Sequence, residues 1–423
     1  MRVILFTGKG GVGKTTAAAG TATLGALRGH RTLVLSTDAA HSLGDAFDIP
    51  AGPDPNEVDD NLFVQQVDAQ RRFERSWGEI QTYLMSVLDT VGVDPIAAEE
   101  LTVLPGAEEV LALLEVRDQA RSGRWDLVVV DCAPTAETLR LLALPEALGW
   151  YMDRVLPMER RMVKVLKPVL TRAAGVPMPR DSVFDAVEHL HADLAEVRSL
   201  LTGTDASVRL VLTPESVVVA EARRSLTTLS LYGYRVDGVV ANRIFPAADA
   251  DAWRRQWVAA QAEMLAEVET SFAPLDVWRS PYRSCEPVGL TELAAFAAEL
   301  YGHDDPFARP HGQDPVDVRR SGSTIRLRVA LPFADRHDVD LARRGDELVV
   351  TVGSYRRLLA LPAALRRASV VGASMRDGAL VVRFDTAGEG EPLPVELPGS
   401  AEDDIDASRV GASGTAIGEN AQP

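Results

Sequence analysis

The chain has 423 residues, enough for two or three domains, and its 46% hydrophobic and 25% charged residues are those of an ordinary globular protein. No run approaches the roughly 20 consecutive apolar residues of a membrane span, and the opening residues pass straight into a strand rather than a leader. A formal charge of −17 argues against a general nucleic-acid binder, so a cytoplasmic protein is expected.

In chain order, the apolar run Val3–Phe6 reads as a buried strand. It feeds Gly8-Lys9-Gly10-Gly11-Val12-Gly13-Lys14-Thr15-Thr16 and then the small-residue stretch Ala17-Ala18-Ala19-Gly20. Strand, glycine-rich turn and helix in that order form a phosphate-binding P-loop. The glycines let successive N–H groups point at phosphate oxygens, and the helix N-terminus adds partial positive charge. Lys14 would reach the β- and γ-phosphates of ATP, and the Thr15 hydroxyl would ligate Mg²⁺. Lys9 is a second lysine inside the loop.

Strands are expected at Thr32–Ser36, Leu127–Val130, Arg209–Leu212 and Val236–Ala241, alternating with helical stretches, which predicts a mostly parallel α/β sheet. Two segments are too long for simple crossovers. Residues 70–120 carry Phe73, Trp77, Ile80, Leu84 and Val87 at three- to four-residue spacing, and residues 145–200 carry Val155, Met158, Met162, Leu166 and Val169 likewise. Both read as amphipathic helical insertions. After the second strand, Ser36-Thr37-Asp38-Ala39-Ala40-His41-Ser42-Leu43-Gly44-Asp45 lies at the edge where α/β sheets place their sites. Asp38 there would orient and activate an attacking water, and Asp45 would contact Mg²⁺ through its water shell. Leu127–Val130 ends in Asp131, the Walker-B carboxylate that would hold the Mg²⁺ shell opposite Thr15.

From Gly302 to about 322 the composition shifts to Gly, His, Asp, Pro and Arg, read as a linker. Residues 323–385 alternate in the β manner through Ile325–Val329, Glu347–Val352, Arg356–Leu361 and Ala379–Phe384, which predicts a small all-β sandwich. Residues 386–423 hold eight acidic residues against Arg409 and are expected to be disordered.

Lys9 resembles the signature lysine of the deviant Walker-A ATPases, which in that class contacts the nucleotide of the facing subunit; an active homodimer is implied. With the Ser36–Leu43 motif, Asp131-Cys132-Ala133-Pro134-Thr135, Thr138-Leu139-Arg140 and Asn242 after the last expected strand, residues 1 to about 300 resemble the ArsA family. That family comprises the arsenite-pump ATPase and the targeting ATPase for tail-anchored proteins. The resemblance implies that Asp38 is the catalytic acid, that Glu215 and Asn242 contact nucleotide, and that the loop from Pro281 and Tyr282 to Gly289 flanks the adenine. Ala136-Glu137 departs from the Gly-His typical of the targeting enzymes. Cys132 and Cys285, with no CxxC pair and no cluster, are read as small buried residues rather than zinc or metalloid ligands.

The segment 323–385 resembles the α-crystallin domain of small heat-shock proteins through Val339-Asp340-Leu341, Leu348–Val352, Arg357–Pro362 and Met375–Val382. Together these resemblances imply a homodimeric ATPase in which ATP-driven closure forms an apolar groove for a hydrophobic client. Two alternatives stand beside it: the motor of an arsenite efflux pump, and a holdase acting through its β-sandwich.

Overall fold

The computed structural model describes residues 1–38, 42–68, 82, 85, 107–132, 181–310 and 313–386. The chain divides into two compact units, Met1–Asp314 and Pro315–Pro423. Among the described residues the first unit is built on an eight-stranded sheet. Its strands are β1 (Arg2–Thr7), β2 (Thr32–Ser36), β3 (Asn56–Asp59), β4 (Leu62–Gln66), β5 (Leu127–Asp131), β6 (Ala206–Leu212), β7 (Val236–Ile244) and β8 (Asp276–Pro281). They lie in the order β3-β4-β2-β5-β1-β6-β7-β8. Every neighbouring pair is parallel except β3 with β4.

Strands β1, β2, β5 and β6 are buried at every residue, because helices cover both faces of the sheet. That is why β1, β2 and β5 read as apolar runs. Helix α1 (Lys14–Leu27) is nearly all Ala, Gly, Thr and Leu, and most of it is buried. Small residues let its backbone approach closely: a Cβ added at Gly20 would lie 2.8 Å from Phe296 Cδ1. The first unit continues with α2 (Ser42–Phe47), α3 (Ala107–Arg121), α4 (Asp181–Thr202), α5 (Ser216–Tyr232), α6 (Ala252–Phe272) and α7 (Leu290–Tyr301).

Strands β3, β4 and β8 were not expected from the sequence. β3 is mostly exposed and β8 ends in a proline, both edge-strand features that blur an apolar signal. Asn242 consequently lies inside β7, with β8 still to follow, not after the last strand. Of the two insertions, helices α3 and α4 are described. Arg117 bridges Asp193 and Glu196, so the two run beside one another. The stripes Phe73–Val87 and Val155–Val169 lie outside the described residues.

A buried charge cluster ties β1, β6 and β7 together. Arg209, 1% exposed, donates to both carboxylate oxygens of Asp237 at 3.1 and 2.9 Å, to Tyr301 Oη at 2.9 Å and to the Pro306 carbonyl at 2.7 Å. Arg2 adds a 3.0 Å contact to Asp237. A buried guanidinium is tolerated because its donors and its charge are met. The sequence marks Arg209 only as the start of an expected strand, and the structure extends that strand back to Ala206 and buries the guanidinium within it.

The described part of the second unit is all-β apart from a short 3₁₀ turn at Arg336–Asp338 and the one-turn helix Ala363–Arg366. One sheet holds β14 (Ser369–Arg376), β15 (Ala379–Asp385), β10 (Thr324–Ala330) and β9 (Val316–Ser321), in that order. The other holds β11 (Val339–Arg344), β12 (Glu347–Val352) and β13 (Tyr355–Ala360). All pairings are antiparallel. Strand β10 buries Ile325, Leu327 and Val329 and turns Arg326 and Arg328 outward, the alternation that made it legible. The span read as linker needs correction, since Val316–Ser321 inside it is strand β9. Its residues are exposed or half-buried, so no apolar face marks it.

Candidate nucleotide site

The loops after β1 and β2, with the end of β5 between them, make the first half of the site. Between β1 and α1 the P-loop turns tightly, with Gly11 and Gly13 at φ 82° and 93°. Gly13 cannot be replaced cheaply, because a Cβ there would sit 2.3 Å from Asn242 Nδ2. Gly8 faces the same limit, with an added Cβ 2.1 Å from the Val211 carbonyl oxygen. Gly10 is exposed, Val12 is buried and Thr16 is half-buried in the first turn of α1.

Lys14 is 7% exposed and donates to the Lys9 carbonyl at 3.4 Å, folding back over the loop it serves. Thr15 Oγ1 donates to Asp131 Oδ2 at 2.8 Å and lies 3.1 Å from Ser42 Oγ. Asp131 is 1% exposed, and its other oxygen, Oδ1, has no hydrogen-bond partner. Burial pushes its carboxyl up to about 6; nearby Asp38 adds to the rise, while the Thr15 bond and the Lys14 charge oppose it. An orphaned buried carboxylate oxygen beside two hydroxyls is the donor chemistry of a hard cation such as Mg²⁺, so the residues fit that ion. Among the described residues no group of three His, Cys, Asp or Glu side chains is gathered as a metal site.

Asp38 follows β2 and is half-buried. Its N–H donates to Ser36 Oγ at 3.1 Å, and its carbonyl accepts from Gln66 Nε2 at 2.8 Å. Register pairs Ser36 with Asp131, so Asp38 stands two residues beyond the Walker-B carboxylate's neighbour. Asp45, one turn into α2, is exposed. His41 lies outside the described residues.

The second half is a cleft of about 360 Å³ between the P-loop and the ends of β6, β7 and β8. Lys9, Gly10, Gly11 and Val12 form one wall, and Thr213, Glu215, Arg243, Phe245 and Tyr282 the other, with Trp253 and Trp257 from α6. In the sheet order, β2 and β5 lie on one side of β1 and β6 to β8 on the other. The cleft therefore opens where the strand order reverses, as expected for ligands of open α/β sheets. Asn242, 6% exposed, donates to the Val12 carbonyl at 2.8 Å. Arg243, at φ 59°, donates to the Gly11 carbonyl at 2.7 Å. Phe245 and Tyr282 stack with centroids 5.3 Å apart and planes 4° from parallel. Pro281 ends β8, and Gly289, at the far end of that loop, donates to the Ala46 carbonyl at 2.9 Å.

The expected site residues thus fall into two groups. Lys14, Thr15, Asp38 and Asp131 converge, while Lys9, Glu215 and Tyr282 border the cleft and Asn242 of β7 bonds to the P-loop beside it. Sequence reasoning passed over Ser42, Arg243, Phe245, Trp253 and Trp257. For Arg243 and Phe245 the signal was their position just after Asn242; for the tryptophans there was none, because no motif includes any residue of α6. Cys132 is buried and its thiol is pushed up by burial, as expected for a packing residue. Cys285 is exposed in the loop after edge strand β8, which corrects its reading as buried.

A doubly covered parallel sheet, a P-loop with a Lys-Thr pair and a facing buried Asp define a P-loop ATPase. The profile of the anion-transporting ATPase family, ArsA, matches residues 1–302, and the chain belongs to that family. An HSP20-like domain found in ArsA proteins matches residues 316–384, which coincide with the second unit's strands. A Chlorobaculum tepidum protein, provisionally named an arsenical pump-driving ATPase, is 36% identical over 92% of this chain and 98% of its own. A Streptomyces coelicolor protein is 39% identical over 91% of this chain and 97% of its own. A Trypanosoma cruzi ATPase ASNA1 homolog is 29% identical over 70% of this chain and 90% of its own. No described helix is long and apolar enough to cross a membrane.

Proposed function

We propose that this chain hydrolyses ATP to ADP and phosphate as a homodimer, and that its ATP-bound form builds an apolar groove for a hydrophobic client segment. The observation that carries the hydrolytic part is Asp131: buried, bonded to Thr15 on one oxygen and unpartnered on the other, beside the P-loop. Thr15 and Asp131 would hold Mg²⁺, with Asp45 reaching it through water; the ion supplies charge neutralisation for the phosphate oxygens. Lys14 leaves the Lys9 carbonyl for the β- and γ-phosphates, and the loop N–H groups cradle them. Asp38 orients the attacking water and accepts its proton. The base lies toward Phe245 and Tyr282, between the end of β7 and the loop after Pro281, with Glu215 at the rim.

Lys9 completes the site of the facing subunit. The client groove draws on the apolar spacing read in the two helical insertions and on the resemblance to the targeting branch of the family. The test is Asp38→Asn, whose amide keeps the carboxylate's shape. With Mg-ATP it should run as a closed dimer by light scattering and bind an apolar-surface dye, and with ADP it should do neither. Equal dye binding in both nucleotides would remove the ATP-built groove. Mixing Lys9→Ala with Asp38→Asn subunits should restore part of the turnover; additive loss would remove the trans role. The name of the Chlorobaculum tepidum protein favours a second reading, the motor of a metalloid pump, which arsenite-stimulated turnover would support. Aggregation suppression that survives Lys14→Ala would favour the holdase.

A further inference from the structure

The strand unit differs in charge from the rest of the chain. Residues 315–386 hold thirteen arginines, no lysine and eight acidic residues, a formal +5 within a protein of −17. Part of that charge is arrayed on one face of the four-stranded sheet. Register places Arg326 of β10 directly opposite Arg319 of β9 on one side and Arg383 of β15 on the other. The row continues over β14, where the Arg383 guanidinium covers Gly372: a Cβ there would lie 3.1 Å from its Nη2. Arg328 stands two positions along the same face. The acids sharing these outward positions are Asp317, paired with Arg319 at 2.5 Å, and Asp385 at the end of β15. Among the described residues neither Arg326 nor Arg328 has an ion-pair partner.

Like charges directly opposite on neighbouring strands destabilise a sheet. Arg326, without an ion pair and set between Arg319 and Arg383 across about 10 Å of strand spacing, calls for an anion. We propose that this face binds the acidic stretch Glu389–Asp406 of the same chain. That stretch carries seven acidic residues and no basic one, and it begins four residues after β15, a central strand of the very sheet concerned. A span of 17 residues from Asp385 to Glu402 reaches about 20–25 Å as a flexible chain, enough to cross the row. Tethering keeps these carboxylates at roughly millimolar effective concentration over the arginines.

The test uses the full chain and a fluorescent peptide of residues 387–408. In one variant all seven acids of the stretch are changed to their amides. This neutralised protein should bind the peptide, and affinity should fall at least tenfold between low salt and 0.3 M salt. Wild type, with its face already covered, should bind at least tenfold more weakly than the neutralised protein. Adding Arg319→Gln and Arg326→Gln to the neutralised protein should abolish binding, whereas adding Arg344→Gln and Arg367→Gln, exposed arginines outside this row, should not. Absence of binding to the neutralised protein overturns the proposal. Equal binding by wild type also overturns it, leaving the face to an acidic partner in trans. Equal loss from both arginine pairs would reduce the effect to net charge and overturn it as well.

Discussion

The two units bury their strands by opposite means. In the ATPase unit, helices cover both faces of a parallel sheet, so side chains of β1, β2, β5 and β6 are locked away along their length. Chemistry can then appear only at the carboxyl edge, where Lys14, Thr15, Asp38 and Asp131 meet. In the strand unit each strand turns alternate residues outward, so β10 buries three apolar residues and still displays two arginines. The first arrangement holds a few groups rigidly around one ligand, and the second spreads charge over a face. Mutations should therefore act sharply in the first unit and gradually in the second.

The largest effect expected is that of Lys14→Ala. The buried ammonium is the proposed chief side-chain partner of the phosphates, and its loss should leave no ATP binding detectable by titration calorimetry; unchanged affinity would end the P-loop assignment. Next comes Asp38→Asn, which should lower turnover roughly 10²–10⁴-fold while sparing ATP affinity. Steady-state rates beside the same calorimetry separate the two variants.

Asp131 gives a prediction with a sign. Its folded-state value is raised to about 6 from an ordinary 3.8, so burial favours the protonated form. In the nucleotide-free protein this contribution is fully present below about pH 4 and is lost as pH rises through 6. Asp131→Asn should therefore stabilise the nucleotide-free protein at pH 7 relative to wild type, by about 2–3 kcal/mol at most, and the gap should close toward pH 4. The same variant should lose its stabilisation by Mg-ATP. Thermal melts from pH 4 to 8, with and without Mg-ATP, measure both. A pH-independent difference would mean that Asp131 is ionised in the nucleotide-free fold.

The smallest effect is expected from removing the strand unit. A chain ending at Asp314 should keep turnover within about twofold, because every residue of the nucleotide site lies in the first unit. Ending instead at Gly322 leaves β9 without its partner β10 and exposes an unpaired edge. That longer chain should aggregate more on light scattering, although it differs by only eight residues. Equal behaviour of the two would mean that β9 without β10 offers no edge for aggregation.

Much of this protein is determined locally. A phosphate loop needs glycines, a lysine and a hydroxyl at fixed spacing, so the P-loop and its flanking strand and helix can be read from nine residues. Asp131 is legible because a buried strand ending in a carboxylate beside such a loop has one main use. The strands of the sandwich show wherever alternation exposes one face and buries the other. Tertiary structure alone decided what depends on distant partners. Edge strands β3, β8 and β9 carry weak patterns because half of their surroundings is solvent, and only pairing with β4, β7 and β10 makes them strands. The burial of Arg209 is silent in sequence, since a guanidinium inside a buried strand makes sense only once Asp237, Tyr301 and Pro306 close around it. The stacked Phe245 and Tyr282, 37 residues apart, and the register that aligns Arg319, Arg326 and Arg383 likewise arise from strand order, which no local spacing encodes.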